Sequence, residues 1–131
     1  MFSEPSSTIT EGVRVEVGTA WLKDRSVPER NLYVFAYQVR IFNESAHQIQ
    51  LLRRKWVITD AFGHVRVVEG DGVIGEQPVL SPGDHHEYIS GVDFPTSVGH
   101  MTGWYYMVRN DGAELQVRIP EFVMTVPHLL N

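Results

Sequence analysis

The run Met101-Thr102-Gly103-Trp104-Tyr105-Tyr106-Met107-Val108-Arg109, followed by Asn110-Asp111-Gly112 and the stretch from Gly112 to Ile119, decides the fold. Asn, Asp and Gly all tolerate left-handed backbone angles, so the three together mark a tight turn between two antiparallel strands. Side chains alternate along a strand, which sends Trp104 and Tyr106 one way and Tyr105 and Met107 the other. Both sides of this strand are apolar, as expected near the middle of a sheet. Pro120 interrupts the ladder, so Phe122 to Val126 is expected as an edge extension after a bend.

Working outward, the same two-residue period recurs. From Gly12 to Thr19, Val13, Val15 and Val17 share one side while Arg14 and Glu16 take the other. From Leu32 to Phe42, Tyr33, Phe35, Tyr37, Val39 and Ile41 share a face; the opposite face runs from Val34 and Ala36 to Gln38 and Arg40. Gln48 to Thr59 leads through Asp60-Ala61-Phe62-Gly63 into His64 to Val68, and Asp84 to Gly91 follows Ser81-Pro82-Gly83. The chain holds 18 Val against 5 Ala, a bias toward strands because branched Cβ atoms fit a pleated surface. Seven Pro and 11 Gly are spread along it and leave no long helical period. Seven or eight short antiparallel strands without helices predict an all-β, two-sheet sandwich of the immunoglobulin or fibronectin type III kind, with a small closed barrel as the alternative. Residues 1–11 are expected to be a flexible segment and residues 12–131 a single domain.

Composition removes several function classes. With no cysteine, a disulfide framework, a thiolate metal site and a thiol nucleophile are excluded. A net charge of −5 argues against electrostatic binding to nucleic acid or anionic lipid. No run approaches the roughly 18 apolar residues of a membrane helix. Met1-Phe2-Ser3-Glu4-Pro5-Ser6 has neither a basic start nor an apolar core, so no signal peptide is read there and the cytoplasm is the expected compartment. Asn43-Glu44-Ser45 fits a glycosylation triplet and is read as a polar turn.

Several segments, in order, resemble the ApaG domain family from Arg14 to Pro127. They are Leu51-Leu52-Arg53-Arg54-Lys55-Trp56-Val57-Ile58-Thr59-Asp60-Ala61, Gly70-Asp71-Gly72-Val73-Ile74-Gly75-Glu76-Gln77-Pro78, Leu80-Ser81-Pro82-Gly83, Tyr88-Ile89-Ser90-Gly91, Gly99-His100-Met101-Thr102-Gly103 and Ile119-Pro120-Glu121-Phe122. Members often carry Ser-Arg-His-Trp where this chain has Arg53-Arg54-Lys55-Trp56, and a double proline where it has Pro120-Glu121. The resemblance implies a fibronectin type III-like sandwich and, from the family's occurrence as modules in F-box and polymerase-interacting proteins, protein–protein interaction. It also implies an association with cobalt and magnesium homeostasis and, in bacteria, genes near a dinucleoside tetraphosphate hydrolase. It supplies no catalytic residues.

Gly70, Gly72 and Gly75 satisfy G-x-G-x-x-G, but Pro78 and Pro82 forbid the helix a dinucleotide fingerprint needs, and Glu76 stands where a phosphate-binding loop carries lysine. Two readings stay open: a structural turn, or a nest of glycine amides that holds a nucleotide or pyrophosphate with help from Arg53, Arg54 or Arg66. Alternation places Leu52, Arg54, Trp56 and Ile58 on one face of their strand, and a buried Arg54 would call for a carboxylate such as Glu76 or Glu87. In Asp84-His85-His86-Glu87, only His85 and Glu87 point the same way, too few ligands for a specific metal site. No serine sits in a nucleophile elbow and no carboxylate pair has acid–base spacing.

These observations predict a non-enzymatic module without a cofactor that binds a protein partner or its own copy. Trp104 and Tyr106, with Tyr33, Tyr37 and Trp56, are the candidate interaction residues. The alternative is a phosphorylated small molecule at Gly70, Gly72, Gly75, Arg54 and Arg66; a weaker one is a divalent-cation role through His85 and Glu87.

Overall fold

Tight turns set the registers. In the computed structural model, which describes residues 1–127, Glu11 and Gly12 both take left-handed angles (φ 47° and 79°) and close a hairpin between β1 (Ser6–Thr10) and β2 (Val13–Trp21). Within residues 1–11, read from sequence as a flexible segment, Ser6 to Thr10 pair in full with Val17 to Val13, and the Ser3 amide donates to the Thr19 carbonyl at 2.8 Å. The hydroxyl side chains and the β-branched Thr8, Ile9 and Thr10 suit this edge strand. Two single-turn 3-10 helices, Lys23–Arg25 and Pro28–Arg30, lead to β3 (Tyr33–Asn43).

The next strands are β4 (Ile49–Asp60), β5 (Val65–Asp71), the short β6 (Val79–Leu80), β7 (His85–Phe94), β8 (Val98–Arg109) and β9 (Glu114–Thr125). The β4–β5 and β8–β9 loops are alike: Gly63 (φ 84°) and Gly112 (φ 88°) supply the left-handed residue that ends a three-residue turn. Asp60 and Asp111 accept the loop amides. Of Asn110, Asp111 and Gly112, only the glycine is left-handed.

The strands form two antiparallel sheets, β1-β2-β3-β7 and β5-β4-β8-β9, with β6 also on β4. Val13, Val15 and Val17 meet Val117, Ile119 and Met124 in the shared interior, beside Phe35, Ile41, Tyr105 and Met107. This is the sandwich predicted. On one flank, β1 and β9 touch through short side chains: Thr8 Oγ1 donates to the Arg118 carbonyl at 2.9 Å, and the Arg118 amide donates to Thr10 Oγ1 at 3.1 Å. On the other flank, β5 and β7 are free edges.

Two irregularities shift the predicted faces. A bulge between Leu51 and Arg53 inserts Leu52 into β4, so Leu51, not Leu52, joins Trp56 and Ile58 in the core. The Leu52 carbonyl accepts the Gly72 amide (2.8 Å) and Gln77 Nε2 (2.9 Å), which satisfies the backbone that the bulge displaces. At Pro120 the β8–β9 register shifts between Met101 and Gly103, and β9 runs on unbroken to Thr125. Proline has no amide to give the ladder, and the shift together with the edge position accommodates it.

Candidate functional site

Between the two free edges lies a cleft of about 340 Å³. Arg54 is its only cationic lining residue, and Tyr37, Tyr88 and Ser90 of the four-stranded sheet face it. Trp56, Ile58 and Met101 give it an apolar wall. Its mouth is framed by Ile74 and Gly75.

The glycine motif builds that mouth. Val73 and Glu76 exchange backbone hydrogen bonds (2.8 and 3.0 Å) around Ile74 and Gly75, whose φ values of 48° and 75° make a two-residue hairpin turn. The Gly72, Val73 and Glu76 amides are thereby spent within the protein, so they form no open nest. Gly72 (φ 62°) lies where a Cβ would meet the Glu76 carbonyl oxygen at 2.2 Å. At Gly70 a Cβ would meet Arg54 Nη1 at 2.8 Å, so the bare glycine makes room for the guanidinium to pass.

Arg54 then meets carbonyls rather than the expected carboxylate. Its Nη1 donates to the Asp71 and Gly72 oxygens at 3.1 and 3.0 Å. Glu76 lies instead 3.6 Å from His86 Nε2, and Glu87 is 2.9 Å from Arg40. Among the described residues, no carboxylate neutralises Arg54.

Three phenols stand near that charge. Burial pushes the Tyr37 hydroxyl up from its ordinary pKa, against a hydrogen bond from Ser90 and the field of Arg54. Burial raises Tyr88 and Tyr105 further, with Arg54 again opposing. All three are neutral at pH 7, so each keeps a hydroxyl proton. Sequence reasoning missed Tyr88, Ser90 and Tyr105. The signal was available: Tyr88 and Ser90 share a side of their strand, and that side faces the one bearing Arg54.

The structure thus brings Gly70, Gly72, Gly75 and Arg54 together. Arg66 lies on the same flank in another role: Nη2 donates to the Asp93 carbonyl and Nη1 is 3.9 Å from Asp93 Oδ1, a clasp from β5 to β7. The five candidate interaction residues do not assemble into one patch. Trp56 (3% exposed) and Tyr37 (6%) are core residues packed edge-to-face at 5.3 Å, and Tyr33 packs against the same core. They belong to inward-facing positions, and β3 lies in the sheet opposite β8.

Trp104 and Tyr106 lie elsewhere, half-buried on the outer face of the five-stranded sheet. Trp104 is flanked by Lys55 and Arg118 and Tyr106 by Arg53 and Gln116, with the Arg53 guanidinium 5.9 Å from the Tyr106 ring centre. His85 stacks on Phe42 at 5.7 Å and Glu87 is held by Arg40. Among the described residues there is no group of three or more His, Asp or Glu arranged to hold a metal ion, and no helix long and apolar enough to cross a membrane.

Two antiparallel sheets, turns in place of helices and a polar cleft at one open flank define a β-sandwich domain of the fibronectin type III-like class. Residues 23–109 match the model of the ApaG domain. The chain is 49% identical to Protein ApaG of Brucella canis over 121 residues, covering 92% of this chain and 93% of that protein. It is also 49% identical to Protein ApaG of Paramagnetospirillum magneticum over 122 residues, 93% and 94% of the two chains. The chain belongs to the ApaG domain family. A crystal structure of an ApaA protein from Bordetella pertussis superposes with a TM-score of 0.86 at 42% identity, covering 88% of this chain and 94% of that one. The C-terminal domain of wzt, 10% identical with a TM-score of 0.56, shares the fold alone.

Proposed function

We propose that this domain is a non-enzymatic protein-binding module that presents the outer face of its five-stranded sheet to a partner. The observation that carries the reading is the placement of Trp104 and Tyr106 side by side on that face, among Arg53, Lys55 and Arg118. Tryptophan, tyrosine and arginine are the residue types that dominate binding hot spots, because they bury large, stiff surfaces and keep a polar handle. Glu69 and Asp71 stand 3.9 and 4.0 Å from Lys55 and Arg53, which, among the described residues, leaves Arg118 without a carboxylate within ion-pair distance on this face.

A partner with an apolar centre and an acidic rim fits this pattern. The test is affinity capture from the native cell with the wild type, Trp104→Ala, Tyr106→Ala and, on the opposite sheet, Ile89→Ala. The reading expects one co-purifying protein lost with the first two variants and kept with the third, while circular dichroism stays unchanged. Retention by all three variants would remove it, and sedimentation as a dimer that Trp104→Ala dissolves would replace the partner with a second copy.

A further inference from the structure

We propose that the cleft between β5 and β7 is a binding site for a small organic monoanion, a carboxylate head on a flat apolar body, independently of the outer face. Arg54 would hold the head together with the Tyr37 and Tyr88 hydroxyls. The body would lie along Trp56, Ile58 and Met101.

The charge argument comes first. A guanidinium presents N–H groups in a fork that matches a carboxylate, and Arg54 uses only Nη1 on the chain. Arg54 is half-buried, so part of its hydration is lost without an anion to replace it, and two carbonyl oxygens compensate only in part. Asp71 also lines the cleft, but its exposed carboxylate stands 4.0 Å from Arg53, which, among the described residues, leaves Arg54 as the single unpaired cation there. One negative charge balances it. A di- or triphosphate would bring surplus charge beside Asp71 with nothing to neutralise it.

Donors support the same assignment. Tyr105 has one hydrogen-bonding partner, the Tyr88 hydroxyl at 2.5 Å. When Tyr105 donates, the Tyr88 proton is released to a third acceptor, and Tyr88 lines the cleft. The volume of about 340 Å³ falls within the range of small-molecule sites and is enough for a bicyclic acid.

Ile74 is a separate sign. It is 61% exposed, lines the mouth, and holds φ 48°, a region that β-branched residues avoid and Asn or Gly enter freely. A strained apolar residue kept at a cleft entrance is explained by contact with an apolar guest.

The test titrates the ¹⁵N-labelled full chain with three aromatic monocarboxylates (indole-3-acetate, benzoate and phenylacetate), with neutral indole-3-acetamide, with inorganic phosphate and with magnesium ATP. The proposal expects saturable shifts at Val73, Ile74 and Tyr88 for at least one carboxylate, and binding of the amide about tenfold weaker than that of its acid. Arg54→Gln should abolish the response. Because that change also frees the Asp71 and Gly72 carbonyls, Ile74→Asp and Ile74→Asn form a second pair, both suited to the left-handed turn. Asp should weaken binding about tenfold through its charge, and Asn should leave it within about twofold. The proposal fails if no carboxylate shifts the cleft amides, if acid and amide bind equally, or if Ile74→Asp binds like Ile74→Asn. Tighter binding of phosphate or magnesium ATP would overturn the single-charge assignment.

Discussion

The phenolic oxygens of Tyr88 and Tyr105 lie 2.5 Å apart, although Tyr88 belongs to the four-stranded sheet and Tyr105 to the five-stranded one. This is a polar contact across an apolar interior, so each ring depends on the other for hydrogen bonding. Removing the Tyr88 hydroxyl leaves that of Tyr105 buried and unpaired, whereas removing that of Tyr105 leaves Tyr88 facing the cleft. Tyr88→Phe or Tyr105→Phe should cost about 1–3 kcal/mol, and the double variant less than the sum, as measured by urea unfolding. Burial also raises both phenols above the ordinary value of 10. Folding then favours the protonated form, a contribution complete below pH 10 and lost as pH rises beyond it, because the unfolded chain releases protons the folded chain retains. The double variant should flatten the alkaline decline of stability in that window.

Asn43 is fully buried yet wholly satisfied. Its Nδ2 donates to the His47 and Leu80 carbonyls at 2.8 and 2.9 Å, and its Oδ1 accepts the Ser45 amide and hydroxyl. One side chain therefore ties the β3–β4 connection to β6. Asn43→Ala would take the side-chain donor from the Leu80 carbonyl and the acceptor from the Ser45 amide, the Ser45 hydroxyl still reaching the His47 carbonyl, and should cost about 2–4 kcal/mol in chemical unfolding. An outcome below 1 kcal/mol, roughly, would show that water replaces these bonds.

Gly103 passes closest to a neighbouring chain: a Cβ there would stand 2.0 Å from the Lys55 carbonyl oxygen, in the middle of the β4–β8 ladder. Neither backbone can yield without breaking its register. Gly103→Ala should lower stability by about 3 kcal/mol or more in thermal unfolding. Gly112→Asn, at a left-handed turn with open space around it, should cost well under about 1 kcal/mol.

Asp111 carries an acid-side dependence. Hydrogen bonding from Arg109, reinforced by the Ala113 amide, lowers its carboxyl pKa from 3.8 to about 2. A pKa depressed by folding adds stability above pH 3.8, and that stability drains away as pH falls toward 2. Melting temperatures of the wild type and Asp111→Asn should therefore differ most at pH 5, roughly, and converge near pH 2. A gap independent of pH would assign the effect to the turn geometry alone.

Alternation and turn chemistry reach far in this chain. They placed Val13 to Val17, Phe35 to Ile41 and the hairpin at Asn110-Asp111-Gly112, because each depends on neighbours in sequence. They failed where a distant contact decides. The bulge at Leu52 exists because Gly72 and Gln77 cap its carbonyl, and it exchanges Leu51 for Leu52 in the core. Strand β1 forms because β2 and β9 offer it partners. The three glycines at 70, 72 and 75 resemble a phosphate motif, yet each answers to a different demand: room for Arg54, clearance from Glu76 and a left-handed turn. Tyr37 and Trp56 looked like partner-binding aromatics because their strands were legible while the opposition of the sheets was not. Arg54 was recognised, but its tyrosine companions come from three strands that only the tertiary arrangement unites.

The threonine bonds from β1 to Arg118 have a mechanical consequence. They bind the molecule like a spine, short and close to the backbone, whereas at the fore-edge Arg66 reaches across to Asp93 and Glu76 stands 3.6 Å from His86, with the Tyr88–Tyr105 bond deeper inside. Any parting of the covers would stretch those fore-edge contacts first and leave the spine intact.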